Sequence, residues 1–378
     1  MSDYATFSAD STKSVTNGIV EKKERGLIIL SPDGKRPFRR VVYLDSYGGG
    51  SMWEKIKMGD VPPHHLRGCL ELVRMGYEVA LAEPLPDFNP RRQPLPHDLR
   101  LLRWVISWLG RDGIVFCGHN VLFWIPFLKS LGLIRCPIVS QIFGREDLPA
   151  SRGHTGIITL TPAGAEHAKM LAPRAKVAHL GWGADLSVFP ILPYRPEAFF
   201  SCGITLRDHR TISLAAARCT QQIEVVCPGV NKDLNWPSNV TLIDGGRGWN
   251  VQAKLISYSD LLNKHYARSA GSLIILENHR YVEQTVPGFT ELIEVMAMAR
   301  PVILTRTPAL FGEIDIEKEG WGIFVPIGDP VALSEAIEYL GNNPARSEEM
   351  GRQGRRLAES HYNIDRYARD LHKFFESL

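Results

Sequence analysis

Residues 272–305 constrain this chain more than any other stretch. Ser272-Leu273-Ile274-Ile275-Leu276 and Pro301-Val302-Ile303-Leu304-Thr305 are short apolar runs. Between them lie a loop, 277–289, and a segment in which Leu292, Val295, Met296 and Ala299 recur at i, i+3, i+4 and i+7. Strand, loop, helix, strand is a βαβ unit, and its two strands lie parallel because the helix carries the chain back to its starting edge. The loop closes on Pro287-Gly288-Phe289, with Thr290 where an N-cap residue belongs. A glycine just before a helix lets a ligand come close to the backbone, and the unpaired N–H groups and helix dipole there favour an anion. Glu291, Glu294 and Met298 fall opposite the apolar stripe, so Glu294 could reach a ligand at the same end. The plainer alternative, a turn that binds nothing and glutamates that are simply solvated, is the commoner outcome of such spacing.

At 378 residues the chain is long enough for two domains. Hydrophobic residues make up 44% and charged residues 22%, the proportions of a soluble globular protein. A net charge of +3 is too small to argue for nucleic acid, though it suits anionic substrates. Cys69, Cys117, Cys136, Cys202, Cys219 and Cys227 form no C-x-x-C pair and sit in or beside apolar runs, as reduced thiols of a cytoplasmic protein do. Neither a leader-like N-terminus nor an apolar run of about 18 residues is present.

Taken in order, residues 1–25 read as a polar, flexible tail, and the first strand as 40–45 (RVVYLD). Ser46-Tyr47-Gly48-Gly49-Gly50 follows, a glycine-rich turn at a strand end, with no helix expected at once and no G-x-G-x-x-G pattern. His64 and His65 read as surface residues at a helix start, pointing apart and so unsuited to a shared metal. Leu66, Leu70 and Val73 then make a helical stripe ending near Gly76. The helix of 121–133 is apolar nearly all round, which suits burial and would also suit docking on a membrane surface. Thr161 and Pro162 read as N-cap and first residue of another helix. The two prolines of 192–197 (LPYRPE) mark a linker. A second set of strands and helices starts at Phe199, with a turn running from Gly203 through Arg207 and Arg210. A glycine and arginines in one strand-end loop suit a diphosphate. Asp329-Pro330 opens a helix, and 350–378 reads as a helix, a break and a last helix.

The string PGFTELIEVMAMARPVILT resembles the donor-binding signature of the retaining glycosyltransferases of family 4, where a Gly-(Leu/Phe)-Thr turn precedes Leu-(Leu/Ile)-Glu-Ala-Met-Ala-x-Gly-x-Pro-Val-Ile. Gly183, Asp185 and Phe189 match a further family strand, and Gly203 to Thr211 resembles the Gly-x-x-x-Arg-Asp-Tyr-x-Thr of a subset, with His209 for tyrosine. The resemblance is densest from about Phe200 onward and thins over 40–190. It implies an α/β, GT-B protein: two Rossmann-like domains facing a cleft, with a C-terminal helix crossing back to the first. The expected division is a tail (1–25), an acceptor domain (26–191), a donor domain (192–358) and the crossing helix (359–378).

What the resemblance implies chemically is transfer of a hexosyl group from a nucleoside-diphosphate sugar, such as a UDP-sugar, to an acceptor hydroxyl. The configuration is retained, and neither metal nor other cofactor takes part. The product would serve polysaccharide or glycoconjugate synthesis. Charge building on the leaving diphosphate falls to Arg207, with Arg210 as alternative, to Gly288, Phe289 and Thr290, and to Gly49 and Gly50. Glu294 matches the ribose-binding glutamate. Three departures stand out. The family's sugar-gripping glutamate is Val286 here, so Glu283 or Glu277 is the substitute. The usual Arg after the strand glycine is Ile204. The family's histidine is replaced by Phe143, leaving His119 as candidate. A non-catalytic nucleotide-sugar-binding protein and a nucleotide-sugar epimerase remain as rivals; a phosphorylase would need a lysine in a context that Lys254 and Lys264 lack. The acceptor, whether saccharide, lipid or small molecule, is not legible.

Overall fold

The computed structural model describes residues 15–24, 27–45, 48–82, 102–103, 105–110, 112–119, 124–145, 148, 150–203, 205–227, 231–244, 258–308 and 314–378. They form two compact units: one is Ala184–Asn363, and the other is the described residues from 15 to 183 together with Ile364–Leu378. Both are α/β, as expected.

The N-terminal unit carries β1 (Ile19–Glu24), β2 (Leu27–Pro32), β3 (Arg39–Leu44), β4 (Tyr77–Ala82), β5 (Ile114–Cys117), β6 (Ile138–Ile142), β7 (Gly156–Thr159) and β8 (Lys176–His179). Their order is β1-β2-β4-β3-β5-β6-β7-β8. From β3 onward all pairings are parallel, while β2 runs antiparallel to β1 and β4. β5, β6 and β7 are buried at every position, as strands covered on both faces must be. Part of the segment read as a flexible tail is therefore strand: residues 19–24 pair along the whole of β2. The charges that suggested a tail instead suit an edge strand, where they discourage pairing with another chain. Glu21 in β1 also receives hydrogen bonds from Trp53 Nε1 (2.9 Å) and Lys57 Nζ (2.7 Å).

The helices here are α1 (Gly49–Met58), α2 (Cys69–Arg74), α3 (Trp124–Ser130) and α4 (Pro162–Leu171). α4 starts as read, with Thr161 Oγ1 accepting from the Gly164 N–H at 3.0 Å. α1 was not expected to follow the glycine turn directly, but it begins at Gly49, entered through Gly48 at φ 78°. A Cβ on Gly49 would lie 3.2 Å from Tyr43 Cδ1 and 3.3 Å from Leu81 Cβ, so glycine lets the helix start close against the sheet. Ser46 and Tyr47 lie outside the described residues. His64, read as a surface residue, is buried, its ring centroid 5.7 Å from that of Trp182. α3 buries Ile125 and Pro126, while Phe127 and the following Leu131 and Leu133 are exposed. Among the described residues no helix is long and apolar enough to cross a membrane.

The C-terminal unit holds β9 (Ala198–Ser201), β10 (Ile223–Cys227), β11 (Val240–Asp244), β12 (Ser269–Ile274), β13 (Val302–Thr305) and β14 (Gly322–Val325), ordered β11-β10-β9-β12-β13-β14 and parallel throughout. Its helices are α5 (His209–Ala216), α6 (Arg280–Gln284), α7 (Phe289–Ala297), α8 (Pro330–Asn342) and α9 (Pro344–Ser360). Phe199, Ile212, Val225, Leu273, Ile303, Val325, Leu333 and Ile337 share one core. Each such side chain stabilises by about 1.5–3 kcal/mol through burial. The chain moves from β9 to β10 and β11 on one side, then resumes with β12, β13 and β14 on the other. Strand order thus reverses between β9 and β12, where open parallel sheets bind ligands. In the N-terminal unit the same reversal falls between β3 and β5.

The last helix, α10 (Ile364–Glu376), buries Ile364, Tyr367, Ala368, Leu371, Phe374 and Phe375 and belongs to the N-terminal unit. Phe375 packs on Phe116 with centroids 5.5 Å apart, and Tyr77 Oη meets His372 Nδ1 at 2.8 Å.

α7 ends on Ala299, which adopts φ 55° where the resembling family has glycine. Next to it Arg300 is buried and spends its guanidinium on the carbonyls of Tyr266, Met298, Ala299, Pro193 and Ala267, closing the helix end and tying it to the linker. A left-handed alanine costs about 1–2 kcal/mol, partly offset by the extra freedom glycine gives the unfolded chain. Ala299→Gly is expected to raise stability by about 0.5–1 kcal/mol, read as a higher midpoint in urea denaturation.

Candidate functional site

At the strand-order reversal of the C-terminal unit, the chain leaves β9 through Cys202 and Gly203 (φ 88°) and then folds back. Leu206 at φ 53° turns it so that Arg207 pairs with Leu276 beyond β12. Glu277 N–H donates to Leu206 O and Asp208 N–H to Ile275 O, both at 2.9 Å. Asp208 then caps α5, accepting from Thr211 N–H at 2.8 Å and Thr211 Oγ1 at 2.6 Å.

That geometry drives the Arg207 side chain into the interior. Nε donates to Cys202 O (2.9 Å), Nη1 to Thr205 O (3.1 Å) and Nη2 to Glu291 Oε2 (2.7 Å). Glu291 Oε1 in turn accepts from Ser272 Oγ at 3.0 Å. A Cβ on Gly203 would stand 2.6 Å from Arg207 Nη2, and one on Gly288 3.2 Å from the same nitrogen. The guanidinium therefore lies against both glycines and joins the turn after β9, strand β12 and the start of α7. Three of its five N–H groups are engaged in this way, which leaves one on each terminal nitrogen.

α7 begins at Phe289 with Gly288 (φ 85°) as its cap, so Thr290 is the second helical residue and not the cap. Only glycine takes that backbone turn without strain. Phe289 N–H is held by Val286 O at 3.2 Å, so the first-turn donors left at the helix end are those of Thr290 and Glu291. Glu294 lies roughly 6 Å beyond Thr290 along the axis by helical rise. Glu291 and Glu294, expected on an open face, are both buried. The helix is enclosed because α9 packs along it in addition to the sheet. Behind it Cys202 Sγ meets Tyr266 Oη at 2.8 Å, and the Glu294 carboxylate lies close to the Tyr258 hydroxyl. Burial, with the Glu291 and Glu294 carboxylates close by, pushes the Cys202 thiol and the Tyr258 and Tyr266 phenols well up, so all three stay protonated.

Arg207, Gly288, Phe289, Thr290 and Glu294 thus gather around one strand-end turn. Arg210 is exposed on the first turn of α5. Ile204 lies outside the described residues. Glu283 is exposed on α6 and borders a cavity of about 490 Å³ with Arg306, Pro308, Phe324, Val325, Pro326 and Ile327, at the carboxyl ends of β13 and β14. Arg306 Cζ stands 4.5 Å over the Phe324 ring there. Val286, in place of the family's glutamate, is buried. In the N-terminal unit Gly49 and Gly50 are the first two residues of α1, and His119 follows β5 with its ring 5.2 Å from that of Phe143. Sequence reasoning missed Glu291 as the partner of Arg207. The available signal was its position three residues before Glu294, which places both on one side of the helix.

His209, at the start of α5, is buried beside Arg207 and meets Asn231 Nδ2 through Nδ1 at 2.7 Å. Burial first and the Arg207 charge second lower its pKa from 6.5 to about 4. The unfolded chain takes up this proton before the folded one does. Stability is therefore fully present above pH 6.5 and is lost as pH falls toward 4, by up to about 3 kcal/mol. His209→Asn should flatten that part of the stability–pH curve in urea melts at stepped pH. Arg207→Met leaves the Glu291 carboxylate buried and unpaired and is expected to cost about 3–5 kcal/mol; adding Glu291→Leu should recover most of it. The same denaturation series reads both.

No protein-family model matches the chain, and no curated protein matches it in sequence. Solved structures do match over nearly the whole length. A sucrose-phosphate synthase from Thermosynechococcus elongatus superposes with a TM-score of 0.67 at 14% identity, covering 90% of this chain and 98% of that one. An α,α-trehalose-phosphate synthase (UDP-forming) from Burkholderia vietnamiensis gives 0.61 at 11% identity, covering 91% and 100%. HepE of Anabaena, in complex with UDP and glucose, gives 0.60 at 12% identity, covering 90% and 100%. The chain has the fold of these GT-B proteins, two Rossmann-like α/β units in tandem.

Proposed function

We propose that this protein is a glycosyltransferase that moves a sugar from a nucleoside-diphosphate sugar to an acceptor hydroxyl. The observation that carries the reading is the start of α7: a left-handed glycine at the strand-order reversal, open first-turn N–H groups, and Glu294 buried within two turns of the same helix. A diphosphate accepts from the N–H groups of Thr290 and Glu291 at the positive end of the helix dipole, and a ribose lies along the helix toward Glu294. Charge grows on the diphosphate as the glycosidic phosphate bond breaks. Donors fixed in place before the reaction stabilise that charge, each by about 3 kcal/mol where such a donor has been removed elsewhere. Arg207 contributes twice. It fixes the turn by binding Glu291, and its terminal nitrogens lie against Gly203 and Gly288, which border the anion site. Arg210, on the exposed side of α5, is the second cation we assign to the phosphates. Glu283 is the carboxylate we assign to the sugar.

The family resemblance adds retention of configuration and independence of metal to this reading, and it assigns Gly49, Gly50 and His119 to the same reaction. The solved structures support it through HepE, which was determined with UDP, with UDP and glucose, and with UDP-glucose. UDP is accordingly the first nucleotide to test. A second reading, nucleotide-sugar binding without catalysis, is favoured by one feature, the buried Val286 where the family grips the sugar with a glutamate.

Thermal shift with UDP, GDP and dTDP separates these readings from the rest. A nucleotide at 100 times its dissociation constant stabilises by about 2.7 kcal/mol. Glu294→Gln should weaken that nucleotide at least about tenfold by removing a charged acceptor. Binding without hydrolysis or transfer on any nucleotide sugar supports the non-catalytic reading. No shift with any nucleotide, or a shift untouched by Glu294→Gln, rejects both.

A further inference from the structure

The N-terminal unit has its own strand-order reversal, between β3 and β5, and a buried polar cluster occupies its carboxyl edge. Arg67 follows a short 3-10 turn at φ 49° and is buried. Its Nε faces Asp45 Oδ2, just beyond β3, at 3.3 Å, and the same oxygen accepts from Tyr43 Oη at 2.9 Å. The guanidinium is packed between two rings, with Cζ 4.3 Å from the Trp182 centroid and 4.8 Å from that of Phe143, just beyond β6. Gly118, just beyond β5, completes the wall: a Cβ there would come within 2.8 Å of Arg67 Cδ and 2.9 Å of Asp45 Oδ2. On the other side Tyr367 of α10 packs against Gly68 and donates to Gln141 Oε1 of β6 at 2.9 Å.

Three side chains of this cluster keep a buried donor without an acceptor: Arg67 Nη1, Trp182 Nε1 and Gln141 Nε2. Arg67 is 5% exposed, Trp182 1% and Gln141 0%. A single buried donor left unmade is uncommon and costly. Two of these donors belong to side chains packed on each other, Arg67 and Trp182, and the third, Gln141, is joined to them through Tyr367; all are donors, and together they describe a binding preference. They call for a group that only accepts and carries negative charge. The position agrees independently, because the reversal point of a parallel sheet is where such sheets take ligands.

We propose that this edge of the N-terminal sheet binds an oxyanion, a phosphate or carboxylate group, through Arg67, Trp182 and Gln141, and that this group is the anchor by which the acceptor substrate is recognised. The oxyanion site stands on the geometry of this unit alone; the word acceptor rests on the transferase reading above. The aromatic faces of Trp182 and Phe143 hold the guanidinium flat and exclude water from it, so the direction of Nη1 is fixed before a ligand arrives.

Isothermal titration of the full chain with inorganic phosphate, glucose 6-phosphate, glucuronate and, as neutral control, glucose tests this. At least one oxyanion is expected to bind saturably while glucose does not; the phosphate and carboxylate arms identify the group. Trp182→Phe keeps the ring over the guanidinium and removes only the N–H, so it tests the site without emptying it. Arg67→Met removes the cation. Each should weaken the oxyanion at least about tenfold and leave UDP affinity within about twofold. The proposal is overturned if none of the three anions binds, or if binding is unmoved by Trp182→Phe and by every folded Arg67 variant. Oxyanion binding that persists in a protein with no affinity for any nucleotide would sink the transferase reading and keep this site. The opposite pattern would sink this site alone.

Discussion

The buried pair of Arg207 and Glu291 is the interaction on which the C-terminal site depends. A carboxylate on the first turn of a helix ordinarily faces water and the helix dipole stabilises it there. Here the carboxylate points inward, because the turn after β9 folds back and brings a guanidinium to it at 2.7 Å. Both charges leave water, and that is tolerable because Cys202 O, Thr205 O and Ser272 Oγ add hydrogen bonds to the pair. The consequence is positional. The glycine turn before α7 is held by a charge that is itself held, so the first-turn N–H groups keep their direction whether or not anything is bound.

The N-terminal sheet repeats this device with one difference. Asp45 and Arg67 lie at its own strand-order reversal, again with a glycine, Gly118, where a side chain would collide with the pair. In the C-terminal unit both oxygens of the carboxylate are engaged, and the open donors are first-turn backbone N–H groups with one N–H on each terminal nitrogen of Arg207. In the N-terminal unit the arginine, a tryptophan and a glutamine retain the unused donors. Parallel sheets explain why both units place polar groups there: every strand delivers its next residues to the same edge, and the reversal leaves a gap between two of them.

Much of the architecture was legible because it follows from local rules. Alternation between short β-branched runs and segments of helical period marked the parallel strands of both units, and Thr161 and Asp329 capped their helices where an oxygen-bearing side chain before a proline should. The errors have a common cause. Residues 19–24 looked like a tail because their charges were weighed without the partner strand that satisfies their backbone. Glu291 and Glu294 looked solvent-facing because one apolar stripe was visible, and the second covering layer, α9, comes from far along the chain. His64 looked exposed because nothing near it in sequence announces Trp182.

By itself the sequence determined the class of fold, the crossover around Gly288 and the glutamate that follows it, since period, glycine and cap chemistry are properties of neighbouring residues. Only the tertiary structure decided which charges meet. Arg207 and Glu291 are 84 residues apart in the chain and Tyr367 and Gln141 are 226 apart. The last helix joins the N-terminal unit because its apolar face is completed by Phe116 and Tyr77. Pairings of that kind are set by burial and mutual fit over long loops, and no short-range pattern encodes them.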